Sequence, residues 1–179
     1  TLLAKCTETE KSQIAKEFVK FNERCMIRLL GDMRAYNYVI VPIHDFDQVV
    51  YRIRAIDFDQ QCYEGNFKVY RPQFFKENYP MVKLVKDKLQ DSSIEQYKDE
   101  ERAVLAKRIL SAENRIKILL EIMGEDELAP HSHLQQLQME LYRYTNDLNF
   151  KKAKSMGEIM NAAFEFIVRN FKNSNLFKM

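Results

Sequence analysis

Apolar residues recur every three or four positions early in the chain, at Ile14, Phe18, Phe21, Cys25 and Leu29. A helix turns once in about 3.6 residues, so this spacing draws one apolar stripe and predicts a helix over residues 8–30. Gly31 ends the pattern, as a residue that tolerates positive φ. The period then changes. Tyr38 to Ile43 is a short run rich in β-branched residues, and Val49, Tyr51, Ile53 and Ala55 alternate with Val50, Arg52, Arg54 and Ile56. Two strands are predicted, joined by a hairpin loop over residues 44–48. A loop through Gly65 and Pro72 follows.

Helical spacing then resumes. Helices are predicted over residues 73–89, broken or kinked by Pro80, and over residues 93–123, stopped by Gly124. Two more cover residues 134–148 and 156–171. The expected fold is mostly α with one β-hairpin. The sequence shows no internal repeat.

Composition sharpens this picture without changing it. A chain of 179 residues fits one domain, or one large lobe of a bigger protein. Only four Gly and four Pro in that length favour long helices over a fold of many turns. A net charge of +2 gives no charge-based reason to expect a nucleic-acid partner. No apolar run is long enough to cross a bilayer, and no signal-peptide pattern opens the chain, so no membrane partner is expected. Cys6, Cys25 and Cys62 are widely spaced with no C-x-x-C pair, which points to a reducing, cytoplasmic compartment. The first residue is Thr1, so further sequence is expected upstream.

The residues that carry chemistry fall around the predicted hairpin. Asp32 and Asn37 stand five apart in the loop between the first helix and the first strand. Asp57 follows the second strand and precedes Phe58 and Asp59. Phosphoryl transfer needs a carboxylate beside the attacking hydroxyl and oxygen ligands for Mg²⁺ that bridges the phosphates. A D-x-x-x-x-N loop followed by an Asp-Phe at a strand end supplies both.

The loop resembles the H-G-D-x-x-x-x-N motif of aminoglycoside and choline kinase-like phosphotransferases, and the strand end is similar to their I-D-F-G or I-D-F-D. The resemblance covers residues 8–60, about the first third of the chain. It implies the C-terminal lobe of a protein-kinase-like fold, acting in ATP-dependent transfer of a phosphoryl group to a small-molecule or protein hydroxyl. By that resemblance Asp32 is the catalytic base. Asn37 and Asp57 bind the Mg·ATP cofactor pair, with Asn37, Asp57 and Asp59 as metal ligands. Arg34 is placed with the catalytic residues, stabilising phosphate charge where the family has His. The family also has His where this chain has Leu30, and the 25 residues between Asp32 and Asp57 exceed its usual separation. No Gly-rich loop or strand-borne Lys precedes Asp32, so the nucleotide-binding N-terminal lobe is a missing partner. Without that lobe an apolar patch is expected near residues 36–60, open to self-association.

Other readings compete. Asp32, Asn37 and Asp57 serve equally as turn and strand-end residues in a non-catalytic interaction module, either a degenerate kinase fold or an unrelated helical domain. Asp45, Asp47, Asp57 and Asp59 together form an alternative cation site. His131 and His133 read as a solvated loop, with zinc binding as the alternative. Tyr70, Phe74, Phe75 and Tyr79 read as core, with a substrate pocket as the alternative.

Overall fold

The computed structural model describes residues 2–46, 48–125 and 128–175. It is mostly helical, with one two-stranded antiparallel sheet. After a short 3₁₀ turn, α1 spans Glu8–Ile27, and β1 (Tyr38–Asp45) pairs with β2 (Gln48–Ala55). Three 3₁₀ turns occupy residues 67–78, and then come α2 (Tyr79–Lys88), α3 (Asp91–Ser111), α4 (Glu113–Glu125), α5 (His131–Thr145), α6 (Leu148–Lys152) and α7 (Met156–Asn175).

α1 begins where its sequence caps it. The Thr7 hydroxyl accepts from the Glu10 amide at 3.3 Å, and the Glu10 carboxylate accepts from the Thr7 amide at 2.7 Å. This reciprocal pair satisfies two otherwise orphaned donors. The stripe Ile14, Phe18, Phe21 and Cys25 is fully buried, and α1 packs against the hairpin, α2, α3 and α7. The helix ends earlier than its pattern, at Ile27, and the terminator is not Gly31. Leu29 takes the left-handed conformation with φ 49°, whereas no glycine among the described residues has positive φ. A left-handed Leu costs about 1–2 kcal/mol. Full burial of a Leu side chain contributes about 1.5–3 kcal/mol, and both Leu29 and Leu30 are buried, so packing outweighs the strain.

Those two leucines serve different cores. Leu29 joins the cluster made by α3, α5, α6 and α7, and Leu30 joins the one between α1, the hairpin and α2. The chain between them is thereby pinned at the junction of the two cores. Polar ties reinforce α1 there. Arg24 reaches Glu17 at 2.6 Å and Glu101 of α3 at 3.2 Å, and donates to the Ile53 carbonyl of β2 at 3.2 Å.

Several boundaries differ from the pattern. The strands run on to Asp45 and Gln48, so only two residues connect them, and Phe46 at φ 48° turns the chain. Pro80 sits in the first turn of α2 and starts that helix; it kinks nothing, because a first-turn residue has no intrahelical amide bond to lose. The long helix expected over 93–123 divides at Ala112 into α3 and α4, and Gly124 lies inside α4. α5 begins at His131, so His131 and His133 are in a helix's first turn, outside any loop. The His133 ring rests edge-on against Tyr63, with Nδ1 3.0 Å from the Tyr63 carbonyl. Of the aromatic set, only Tyr70 is core; Phe74 and Tyr79 are exposed.

No helix among the described residues is long and apolar enough to cross a membrane.

α1 and α2 are clasped at the surface. Lys11 hydrogen-bonds Glu8, Lys88 of α2 adds a second bond, and together they hold the Glu8 carboxyl down to about 2. The clasp is therefore at full strength above the ordinary glutamate value and fades as pH falls toward 2. Lys88→Ala is expected to move the Glu8 titration upward in an NMR pH series. An unmoved midpoint would show that Lys11 alone sets it.

Candidate functional site

The site forms where the loop after α1 meets the chain leaving β2. The Asp32 amide donates to the Val69 carbonyl at 3.2 Å, and Asp32 takes φ 53°. An Asp tolerates that region better than most residues. Two donors then converge on the Asp32 main-chain carbonyl: the Arg34 amide at 2.8 Å and the Asn37 side-chain nitrogen at 2.7 Å. The loop is thus closed by its own Asp and Asn.

Asn37 also ties the loop to the second strand. Its carbonyl accepts from the Ile56 amide at 3.0 Å, one residue past β2. Asp57 is the next residue, half-buried at the base of the hairpin. Gly31 brings the two segments close. A Cβ at that position would stand 2.5 Å from the Gln60 carbonyl oxygen, so only glycine admits this approach. The Cys62 amide donates to the Leu29 carbonyl at 2.9 Å and closes the same seam.

Asp57 and Asp59 lie together. The Asp59 amide donates to Asp57 Oδ1 at 3.2 Å, an Asx turn. A hydrogen bond to Asp57 raises the Asp59 carboxyl above the ordinary aspartate value; burial and the Asp57 charge add to this, and the Asp32 charge contributes last. Asp32, Asn37, Asp57 and Asp59 therefore occupy one end of the hairpin. Arg34 is there too, with Nε 2.6 Å from Asp32 Oδ1 and Nη1 3.3 Å from Glu77. The guanidinium lies over the Phe75 ring, 5.2 Å from its centre. Its hydrogen bond to Asp32 raises the Arg34 pKa.

No family model, curated protein or solved structure matches the chain.

The hairpin separates the rival acidic residues. Asp45 ends β1 at the tip, while Asp57 follows the base. Seven steps along a strand cover roughly 23 Å. A single cation site made of Asp45, Asp47, Asp57 and Asp59 is ruled out by that length; Asp47 itself lies outside the described residues.

Among the described residues no group of three or more His, Cys, Asp or Glu side chains is gathered to hold a metal ion. The donor set does fit a Mg²⁺ shared with phosphates, which takes one or two carboxylates and fills its other positions with phosphate and water oxygens. Asp57 and Asp59 are hard oxygen donors, and a hydrogen bond to Asp57, then burial and the Asp57 charge, raise the Asp59 carboxyl; a bound cation would favour its ionised form. The Asn37 nitrogen is committed to Asp32, which leaves its oxygen as the atom to face a cation.

Two large clefts among the described residues lie elsewhere. One of about 850 Å³ runs between α1, α3, α5 and α7, and one of about 870 Å³ lies along α4 and α7. Neither is lined by Asp32, Asn37, Asp57 or Asp59.

Three supporting residues were beyond the reach of sequence spacing. Glu77 and Phe75 hold Arg34, and Asn78 donates to the Met33 carbonyl at 2.8 Å. They stand more than 40 residues from the loop they support. No motif marks them, and only the three turns over 67–78 carry them there.

Proposed function

We propose that this chain is the catalytic lobe of a kinase-like phosphotransferase, of the type that the aminoglycoside and choline kinases represent, transferring the γ-phosphoryl of ATP to a hydroxyl. The observation that carries the reading is the double role of Asn37. Its side chain closes the Asp32 loop while its backbone holds the strand end that delivers Asp57. A D-x-x-x-x-N loop and an Asp-Phe strand end are then one rigid unit, which catalysis by positioning demands.

In this reading Asp32 receives and orients the acceptor hydroxyl. Asn37, Asp57 and Asp59 would hold Mg²⁺, which, when bound, offsets charge on the bridging phosphate oxygens. Arg34 supplies a fixed positive charge beside Asp32. Glu77 and Phe75 keep it in place, and a guanidinium recognises phosphate oxygens in a forked geometry. Tyr36, Val39, Ile56 and Phe58 expose 63%, 39%, 56% and 48% of their surface beside this end of the hairpin. An upstream nucleotide-binding lobe is the partner that such a surface fits. The cysteine pattern supports a cytoplasmic location.

A second reading draws on the Arg34–Asp32 ion pair and on the two large clefts, which lie away from the carboxylates. A carboxylate held by its own arginine also suits a non-catalytic module. The deciding experiment uses the intact protein. ATP turnover with Mg²⁺ is measured against aminoglycoside, choline and seryl-peptide acceptors, beside nucleotide binding by calorimetry. Turnover with one acceptor class is expected. Neither turnover nor nucleotide binding would overturn the reading and leave the interaction module.

A further inference from the structure

α4 is apolar on two sides. Ile116, Leu120 and Met123 pack toward α7, yet no residue of this helix is buried. Ile118, Leu119 and Ile122 point the other way and expose 57%, 44% and 53% of their surface. Three large aliphatic residues on one outward stripe are more than a surface helix needs for its own packing.

The charges on that stripe are arranged by polarity. Arg115, Ile118, Ile122 and Glu125 follow one another at spacings of three, four and three, so they share one line along the helix. The cation stands at the N-terminal end and the anion at the C-terminal end. A helix's own dipole favours the reverse for this pair; Glu113 in the first turn follows the dipole, and the last turn of α4 carries no basic residue. The dipole of α4 alone therefore does not explain where Arg115 and Glu125 stand.

An antiparallel partner with the same stripe does explain it. We propose that α4 is a self-association surface, pairing antiparallel with α4 of a second copy of this chain. The two-fold register centred near Leu120 sets Arg115 of one copy against Glu125 of the other, twice over. The same register sets Ile118 against Ile122. Each Glu125 also comes to the partner's helix N-terminus, where the dipole favours an anion. Such an isologous contact is self-complementary by symmetry. It is independent of the phosphotransferase reading.

A helix of 13 residues is only about 20 Å long, so the interface is small and the dimer weak, with a dissociation constant on the order of 10–100 μM. Sedimentation velocity on the intact chain from roughly 5 to 500 μM spans that range. Wild type is expected to shift from monomer to dimer. Ile122→Lys is expected to weaken the dimer at least ~10-fold, because it sets a charge in the centre of the stripe. Arg115→Glu and Glu125→Arg should each weaken it, since like charges then face each other at both ends. The double reversal should restore it. All three positions are exposed, and circular dichroism checks that the fold is kept. Phe58→Lys, past the base of the hairpin and away from α4 in sequence, should leave the dimer unchanged. Monomer at every concentration would overturn the proposal, as would a dimer that survives Ile122→Lys or is lost with Phe58→Lys. Failure of the double reversal to recover association would overturn the antiparallel register.

Discussion

On the phosphotransferase reading proposed above, Asp57→Ala is expected to lower Mg·ATP-dependent phosphoryl transfer by about 10³-fold or more, with the fold unchanged. The side chain sits at the strand end, where its backbone neighbours are already held by Asn37 and by the seam between Leu29 and Cys62. Removing the carboxylate therefore takes away charge and leaves the main-chain ties in place. It also relieves Asp59, whose raised carboxyl depends first on its hydrogen bond to Asp57. An NMR titration should show the Asp59 value falling toward the ordinary range in the variant, a readout that does not depend on turnover. Asp32→Asn should be comparably slow, because the acceptor hydroxyl would lose its carboxylate. Arg34→Ala is expected to act more mildly, as a lost phosphate contact. Full activity in both aspartate variants would show that these residues are structural.

The grouping of the acidic residues was legible because the hairpin is. Alternation over residues 49–56 set the inward face, and once the strands pair, Tyr38 stands opposite Ala55. Asp32, Asn37 and Asp57 then fall at the same end without further information. The expected exposed apolar side chains near residues 36–60 are also there. What sequence could not supply was long-range. Nothing in the spacing around Arg34 reveals that Glu77 and Phe75 clamp it. Helix ends depart from the sequence pattern where tertiary packing outweighs local preference. Leu29 bears a left-handed backbone because its side chain is wholly buried, and Gly31 is glycine because Gln60 approaches it. The break at Ala112 has no Gly or Pro to announce it.

Asn78 shows how the site is held from behind, and Asn78→Ala is expected to be among the most destabilising single changes in the chain. Its side chain is fully buried. The amide nitrogen donates to the Met33 and Pro72 carbonyls, each at 2.8 Å, and the oxygen accepts from the Tyr38 hydroxyl at 2.9 Å. Burial pushes that hydroxyl up to about 12, so it remains a donor at every physiological pH. One residue thus joins the Asp32 loop, the base of β1 and the turns before α2. Alanine would strand a hydroxyl and two carbonyls in the interior, at about 1–3 kcal/mol for each group, with relaxation keeping the total near 3–5 kcal/mol. That is a large share of the ~5–15 kcal/mol by which domains are stable. Tyr38→Phe removes one bond and should cost only about 1 kcal/mol. Asn78→Asp provides the sharper check. An ionised carboxylate has no donor for the two carbonyls, so the folded state would hold the aspartic acid protonated and raise its pKa. A group raised in this way supports the fold below its unfolded value and loses that support as pH rises. Asn78→Asp should therefore be clearly more stable near pH 4 than near pH 7 relative to wild type, by urea unfolding at both. A pH-independent difference, or an alanine cost under ~1 kcal/mol, would mean that water replaces the amide and that Asn78 is not what holds the loop.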